Sequence, residues 1–210
     1  MRPELSTIGI VDYGSGNIRA ITNVYGRLNI PFRIAHTPAD LLGVKKILLP
    51  GVGAFDQAMG QLERGGFRPV LDEMVVKQGV PVLGICVGMQ IMAHSSDEGK
   101  RPGLGWIAGK VRRFDPSRLP QATCLPHMGW NDVKPAGQGG LFAGLETEAR
   151  FYFLHSYYFD CTQPSTVAAT ATYGLDFACA VCDKNVYGVQ FHPEKSHRWG
   201  VQLLTNFAAL

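Results

Sequence analysis

Three stretches of this chain carry side chains whose type and spacing could do chemistry. The first is Val80-Pro-Val-Leu-Gly84-Ile-Cys86-Val-Gly88-Met-Gln90. Pro81 to Ile85 is a short branched apolar run, the pattern of a buried parallel strand. It leads without a spacer into Gly-x-Cys-x-Gly, and Met89, Ile91, Met92 and Ala93 then read as a helix. Strand, glycine-flanked cysteine, helix is the cysteine form of a nucleophile elbow. At a helix N-terminus the unpaired N–H groups favour a thiolate and can bind an oxyanion. A structural cysteine in a β-to-α turn would read the same way. The second stretch is Tyr187-Gly-Val-Gln-Phe191-His192-Pro193-Glu194-Lys195-Ser196, in which a strand delivers a histidine and a carboxylate follows two residues later. Pro193 keeps the segment extended, so Glu194 can reach a ring nitrogen of His192. A nucleophile needs a base, and the base needs a third group to hold its tautomer. A plain His-Pro turn opening the last helix is the alternative. The third stretch, Pro50-Gly51-Val52-Gly53, is again a glycine-rich strand end.

The remaining candidates are weaker. His36, His94 and His197 read as surface, whereas His127 and His155 sit in unusual loops near which a site could form. Cys179 and Cys182 have metal-ligand spacing, but on a strand residues three apart face opposite sides. No second Cys/His pair completes a site. Gly14-x-Gly16 resembles the start of a dinucleotide fingerprint, yet position 19 is arginine where a third glycine would fall. A βα loop with Asn17 as helix N-cap accounts for it better.

The elements that must position these residues follow from periodicity. Strands are expected at Thr7–Asp12, Pro31–Ala35, Lys46–Leu49 and Pro81–Ile85. Helices are expected from Ile18 to Leu28, from about Phe55 to Glu63, and from Phe67 to Lys77. That alternation argues an α/β fold, a flavodoxin-like or Rossmann-like, mostly parallel sheet flanked by helices. Ligands sit at the carboxyl edge of such a sheet. After His94 short β runs dominate: Gly105–Phe114, Arg150–Asp160, Thr166–Thr172, Phe177–Cys182 and Val186–Phe191. They read as antiparallel extensions of the same core. Ser196–Leu210 closes the chain as a helix with Val201, Leu204 and Phe207 on one face. No linker or repeat divides residues 1–210, so one domain is expected.

Composition narrows the class of function. A net charge of +3 without a basic block gives no reason to invoke nucleic acid. No apolar run approaches the roughly 18 residues of a membrane span. Met1–Thr7 lacks a signal-peptide core, and an odd, scattered set of five cysteines fits a reducing compartment. The expectation is a cytoplasmic protein without membrane, metal or cofactor.

The motifs carry a family resemblance. Gly84-Ile-Cys86-Val-Gly-Met-Gln90 and Phe191-His192-Pro-Glu194-Lys resemble the elbow and His-x-Glu of the class I (triad) glutamine amidotransferases. Asp12-Tyr-Gly-Ser-Gly-Asn17, Pro50-Gly-Val-Gly53-Ala-Phe55, His127-Met-Gly-Trp-Asn131 and His155-Ser-Tyr-Tyr158 are similar to one branch of that class, the glutaminase subunits of imidazole glycerol phosphate synthases. The likeness runs from about residue 8 to the C-terminus, and the one small departure is Val87, where the family usually has leucine.

The resemblance implies a glutaminase of the class I fold. Cys86 would attack the side-chain amide of glutamine, with His192 as base and Glu194 orienting it. Val87 and a backbone N–H at Val52 or Gly53 would form the oxyanion hole. Gly53, Gln90, Ser156 and Tyr157 would hold the substrate's amino-acid end. Ammonia would pass to a (β/α)8-barrel cyclase in a heterodimer of histidine biosynthesis, with Asn17, Met128, Trp130, Tyr152 and Lys195 toward that partner. The cyclase would make imidazole glycerol phosphate and an aminoimidazole carboxamide ribotide. The rivals are a paralogous ammonia-supplying subunit of a surface-polysaccharide sugar synthase, a free-standing cysteine hydrolase of the same fold, and a degenerate binding subunit.

Overall fold

The alternation read from the first ninety residues builds the core of the sheet. The computed structural model describes residues 7–119 and 124–210, so most of the N-terminal segment examined for a signal peptide lies outside it. Strands β1 (Ile8–Val11), β2 (Phe32–Ala35), β3 (Lys46–Gly51) and β4 (Val82–Cys86) are parallel, in the order β2-β1-β3-β4. β1, β3 and β4 are buried along their whole length, which is why they read as continuous apolar runs. Helices α1 (Ile18–Arg27), α2 (Phe55–Arg64) and α3 (Phe67–Leu71) are the crossovers. α1 buries Ile21 and Tyr25 one turn apart. Asn17 occupies its N-cap position, but its side chain makes no capping bond there, unlike the expectation.

Two helices are shorter than their periodicity implies. The expected helix Phe67–Lys77 is α-helical only to Leu71 and π-helical from Asp72 to Lys77, closing with Gln78 N–H on the Glu73 carbonyl. The helix after the elbow, α4, spans only Val87–Gln90. Tertiary bonds end it: the Ile91 carbonyl accepts from Leu104 N–H at 2.7 Å, and the Met92 and Ala93 carbonyls accept from Ile107 and Gly105. Those carbonyls bond the following loop where α4 stops, and they take the place of further helical bonds.

The later strands extend the sheet with one exception, although β13 on β4 and β5 on β6 are parallel and not antiparallel as expected. They are β5 (Ser95–Ser96), β6 (Gly109–Arg113), β7 (His127–Asp132), β8 (Lys134–Pro135), β9 (Arg150–His155), β10 (Tyr157–Cys161), β11 (Val167–Tyr173), β12 (Leu175–Asp183) and β13 (Val186–Val189). β13 joins β4 in parallel, and β12, β10 and β6 follow antiparallel. The exception is β7 with β9, which form a separate two-stranded antiparallel sheet. The run read as Arg150–Asp160 breaks at Ser156, and its halves serve different sheets. Helix α5 (His197–Ala209) closes the chain, burying Leu203, Leu204 and Phe207, with Val201 only half-buried. Among the described residues no helix is long and apolar enough to cross a membrane. The carboxyl ends of β1, β3, β4 and β13 share one edge, which gathers residues 12–17, 51–53, 86–90 and 190–195.

Candidate active site

Close packing of backbone on backbone forces the turn at Cys86. A Cβ on Gly84 would sit 2.6 Å from the Gly88 carbonyl oxygen, and one on Gly88 would collide with the Leu49 carbonyl. Only glycine fits either place, so α4 can start directly over β3. Cys86 itself is held at φ 56°, ψ −114°, a costly conformation for a residue with a side chain. That strain is the mark of an elbow and not of an ordinary strand end. Cys86 is nearly buried and lines a cavity of about 220 Å³.

His192 reaches the same cavity from the end of β13. Its backbone N–H donates to the Tyr152 carbonyl at 2.8 Å, and its own carbonyl accepts from Ser196 Oγ at 2.6 Å. His192 Nδ1 lies 2.9 Å from Glu194 Oε1, both side chains being buried. Burial alone would drive the imidazole pKa down. Hydrogen bonds with Cys86 and with Glu194, reinforced by their charge, outweigh it and push His192 up to about 10. Below that pKa the ring is an imidazolium with a proton on each nitrogen, and the one on Nδ1 faces Glu194 Oε1. The structure brings Cys86 and His192 to one cavity, with Glu194 bonded to His192.

The cavity also takes in Val52, Gly53, Val87, Gln90, Ser156 and Tyr157. Val87 opens α4, so its N–H is one of the helix's unpaired donors. Val52 differs. Its N–H donates to Ser15 Oγ at 2.9 Å, and the same hydroxyl donates to the Val52 carbonyl at 2.8 Å. The residue is on the cavity wall, but its N–H is occupied outside it. Gln90 Nε2 donates to the Tyr157 carbonyl at 3.3 Å and to Gln190 Oε1 at 2.9 Å.

Glu98 and Leu154 on the cavity wall had no role in the sequence reading, and His155 was placed only near a site. Glu98 accepts from Phe55 N–H at 2.8 Å, at the N-terminus of α2, and borders the cavity. A helix N-terminus favours such a carboxylate. His155 lines the cavity, and His127 stands behind it, with Nδ1 2.9 Å from His155 Nε2. Burial holds them near 4 for His127 and near 3 for His155, so both are neutral at ordinary pH.

Beside the cavity, β7 and β9 present an apolar outer face. Met128 pairs with Leu154, and Trp130 with Tyr152. Met128 is 64% exposed, and Trp130 and Leu154 are each 38% exposed. Lys195, also on the cavity wall, lies over the Tyr152 ring at 5.6 Å. Met128, Trp130, Tyr152 and Lys195 therefore form one cluster. Asn17 lies apart from them in sequence, at the start of α1, which packs against the turn holding Lys195.

The chain resembles known proteins over nearly its whole length. The profile of the family described as Glutamine amidotransferase class-I matches residues 9–209. A Bdellovibrio bacteriovorus protein named imidazole glycerol phosphate synthase subunit HisH is 59% identical over 203 residues, covering 97% of this chain and 100% of that one. A Leptospira borgpetersenii protein of the same name is 49% identical over 203 residues, with the same coverage. The solved structure of PurLQS from Thermotoga maritima superposes with a TM-score of 0.72 at 16% identity, covering 97% of each chain, and shares the fold. That profile spans nearly the whole chain, and the chain belongs to the class I glutamine amidotransferase family.

Proposed function

We propose that the chain is the glutaminase subunit of an imidazole glycerol phosphate synthase. It hydrolyses glutamine and passes ammonia to a (β/α)8-barrel cyclase partner. The relatives' shared name supports the pathway. The observation that carries the chemistry is Cys86 and His192 on one cavity, with buried Glu194 bonded to His192. Cys86 attacks the glutamine side-chain carbonyl as the thiolate, its proton having gone to His192. A positive imidazole beside the sulfur favours that form. The tetrahedral oxyanion is met by the Val87 N–H and by a donor from Val52 or Gly53. His192 returns its proton to the leaving nitrogen, so ammonia departs and a thioester remains. His192 then takes a proton from water, which attacks the thioester and releases glutamate and the thiol. Glu194 keeps the imidazole in register throughout.

Substrate selection follows from the rest of the wall. Ser156, Tyr157, Gly53 and Gln90 bound the side that takes the amino-acid end of glutamine. Glu98 supplies the negative charge that an α-ammonium needs, and its tie to Phe55 N–H holds it in place. The exposed face of Met128, Trp130 and Tyr152, with Lys195, is where the cyclase docks, next to the exit for ammonia. Asn17 extends that surface from the β1 loop.

The occupied Val52 N–H supports a gated glutaminase. Gly51 leaves one of the two dihedrals that turn that peptide plane free of a side chain. With Val52 N–H on Ser15, one oxyanion donor is missing, which costs roughly 10²–10³-fold in rate. The experiment is steady-state glutamate release by the chain alone, with the cyclase, and with cyclase plus an acceptor analogue. The expected order is very slow, modestly faster, and faster by at least about two orders of magnitude. Equal rates in all three would favour a free-standing hydrolase.

A further inference from the structure

Behind the cavity, one backbone carbonyl sets the direction of a buried hydrogen-bond chain that ends on the nucleophile. The Tyr157 carbonyl can only accept. It takes one bond from His155 Nδ1 at 2.7 Å and one from Gln90 Nε2 at 3.3 Å. Gln90 must therefore turn its nitrogen, and not its oxygen, toward that side. The same nitrogen lies 2.9 Å from a side-chain atom of Gln190, which has to be the acceptor Oε1. That leaves Gln190 Nε2 pointing the other way, 3.7 Å from Cys86 Sγ. The amide orientation at the sulfur is dictated from Tyr157, two side chains away.

Gln190 is fully buried and is not part of the cavity wall. Its backbone N–H is fixed to the Cys179 carbonyl at 2.8 Å. Burying a primary amide is unfavourable unless its polar atoms are bonded, and here its oxygen is bonded to Gln90 and its nitrogen to the sulfur. An N–H directed at sulfur treats it as an acceptor, which is the role of a thiolate. The titratable groups facing that sulfur are His192 from β13 and the Tyr13 phenol from the β1 loop, with Glu194 behind His192.

We propose that Gln190 is a positioning residue for the nucleophile: oriented by Tyr157 through Gln90, its side-chain N–H holds Cys86 Sγ as an acceptor and favours the thiolate. The proposal rests on Cys86 being the nucleophile. Its test is iodoacetamide alkylation of the full-length chain, read at Cys86 by peptide mass spectrometry between about pH 5 and 10. Gln190→Met, close in volume but without the donor, moves the inflection of Cys86 alkylation upward by about one pH unit, a tenfold loss of reactive sulfur below the inflection. Gln190→Glu moves it further, because a carboxylate then faces the sulfur. An unmoved inflection in both variants overturns the proposal.

A measurement on the unsubstituted side chain covers the case in which neither variant folds. The ¹⁵N–¹H signals of the Gln190 side-chain amide should titrate with the Cys86 inflection and stop doing so in Cys86→Ala. Signals that stay flat across that inflection overturn the proposal equally. Glutamine hydrolysis by Cys86→Ala distinguishes the two levels: persistent hydrolysis removes Cys86 as nucleophile, whereas the amide titration reports on Gln190 alone.

Discussion

Substituting Ser15 tests the proposed gate apart from the proposed triad. The Ser15 hydroxyl accepts from Val52 N–H at 2.9 Å and donates to the Val52 carbonyl at 2.8 Å. Turning the Gly51–Val52 peptide plane breaks the first bond only, since the Val52 carbonyl belongs to the next plane. The second bond aims the hydroxyl's lone pair at the N–H. One neutral hydrogen bond contributes about 0.5–1.5 kcal/mol net, a bias of roughly twofold to tenfold toward the closed orientation. Ser15→Ala in the isolated chain should therefore raise basal glutamine hydrolysis roughly twofold to tenfold, well short of the whole worth of an oxyanion donor. Ser15→Thr keeps the hydroxyl and should stay near the parent rate. The assay is glutamate release coupled to glutamate dehydrogenase, without partner. A Ser15→Ala rate equal to or below the parent rate would refute the reasoning and make Ser15 a structural tie of the loop.

Other substitutions give further outcomes. Glu194→Gln keeps an oxygen for His192 Nδ1 but removes the charge, so a weak, measurable glutaminase should remain; full activity would take Glu194 out of the triad. The same variant tests linkage. His192 is raised from 6.5 to about 10 by bonds and charge that outweigh its burial. Its contribution to stability is present in full below about pH 6.5 and is lost as pH rises toward 10, so urea melts should show a smaller alkaline loss in Glu194→Gln. The buried pair behaves oppositely. With His127 held at about 4 and His155 at about 3 by burial, the unfolded chain binds more protons in acid. Their contribution is present above about pH 6.5 and is lost as pH falls. His127→Asn should flatten the fall in stability between about pH 7 and 5, and an unchanged slope would count against a buried neutral pair.

What the sequence made legible is what lies close together along the chain. Cys86 between two glycines and His192 two residues from Glu194 are local patterns, and their spacing already implied the strand-end geometry that the fold displays. The buried strands of the parallel core were readable for the same reason, since burial on both faces leaves an unbroken apolar run. Residues that meet only through folding left no such pattern. Ser15 touches Val52 across 37 positions, Glu98 touches Phe55 across 43, and Gln190 touches Cys86 across 104. Glu98 sits in an ordinary polar run, Ser-Ser-Asp-Glu, that reads as solvated surface. The shortness of α4 was hidden too, because its end is set by carbonyls bonded to residues 104–107 and not by any helix-stop residue. Met128 and Trp130 showed the limit of side-chain type as a guide. Both residue types are common in cores, and only the separate β7–β9 sheet leaves these two exposed.

The most direct test of the central claim uses Cys86→Ala in the complex with the cyclase. Product formation is followed with glutamine as the nitrogen source and then with ammonium salt at alkaline pH. In the proposed mechanism Cys86 supplies the attacking sulfur, whereas the close contacts at Gly84 and Gly88 support the turn. The account predicts no product from glutamine and undiminished product from ammonium. Continued synthesis from glutamine, or loss of synthesis from both sources, would contradict it.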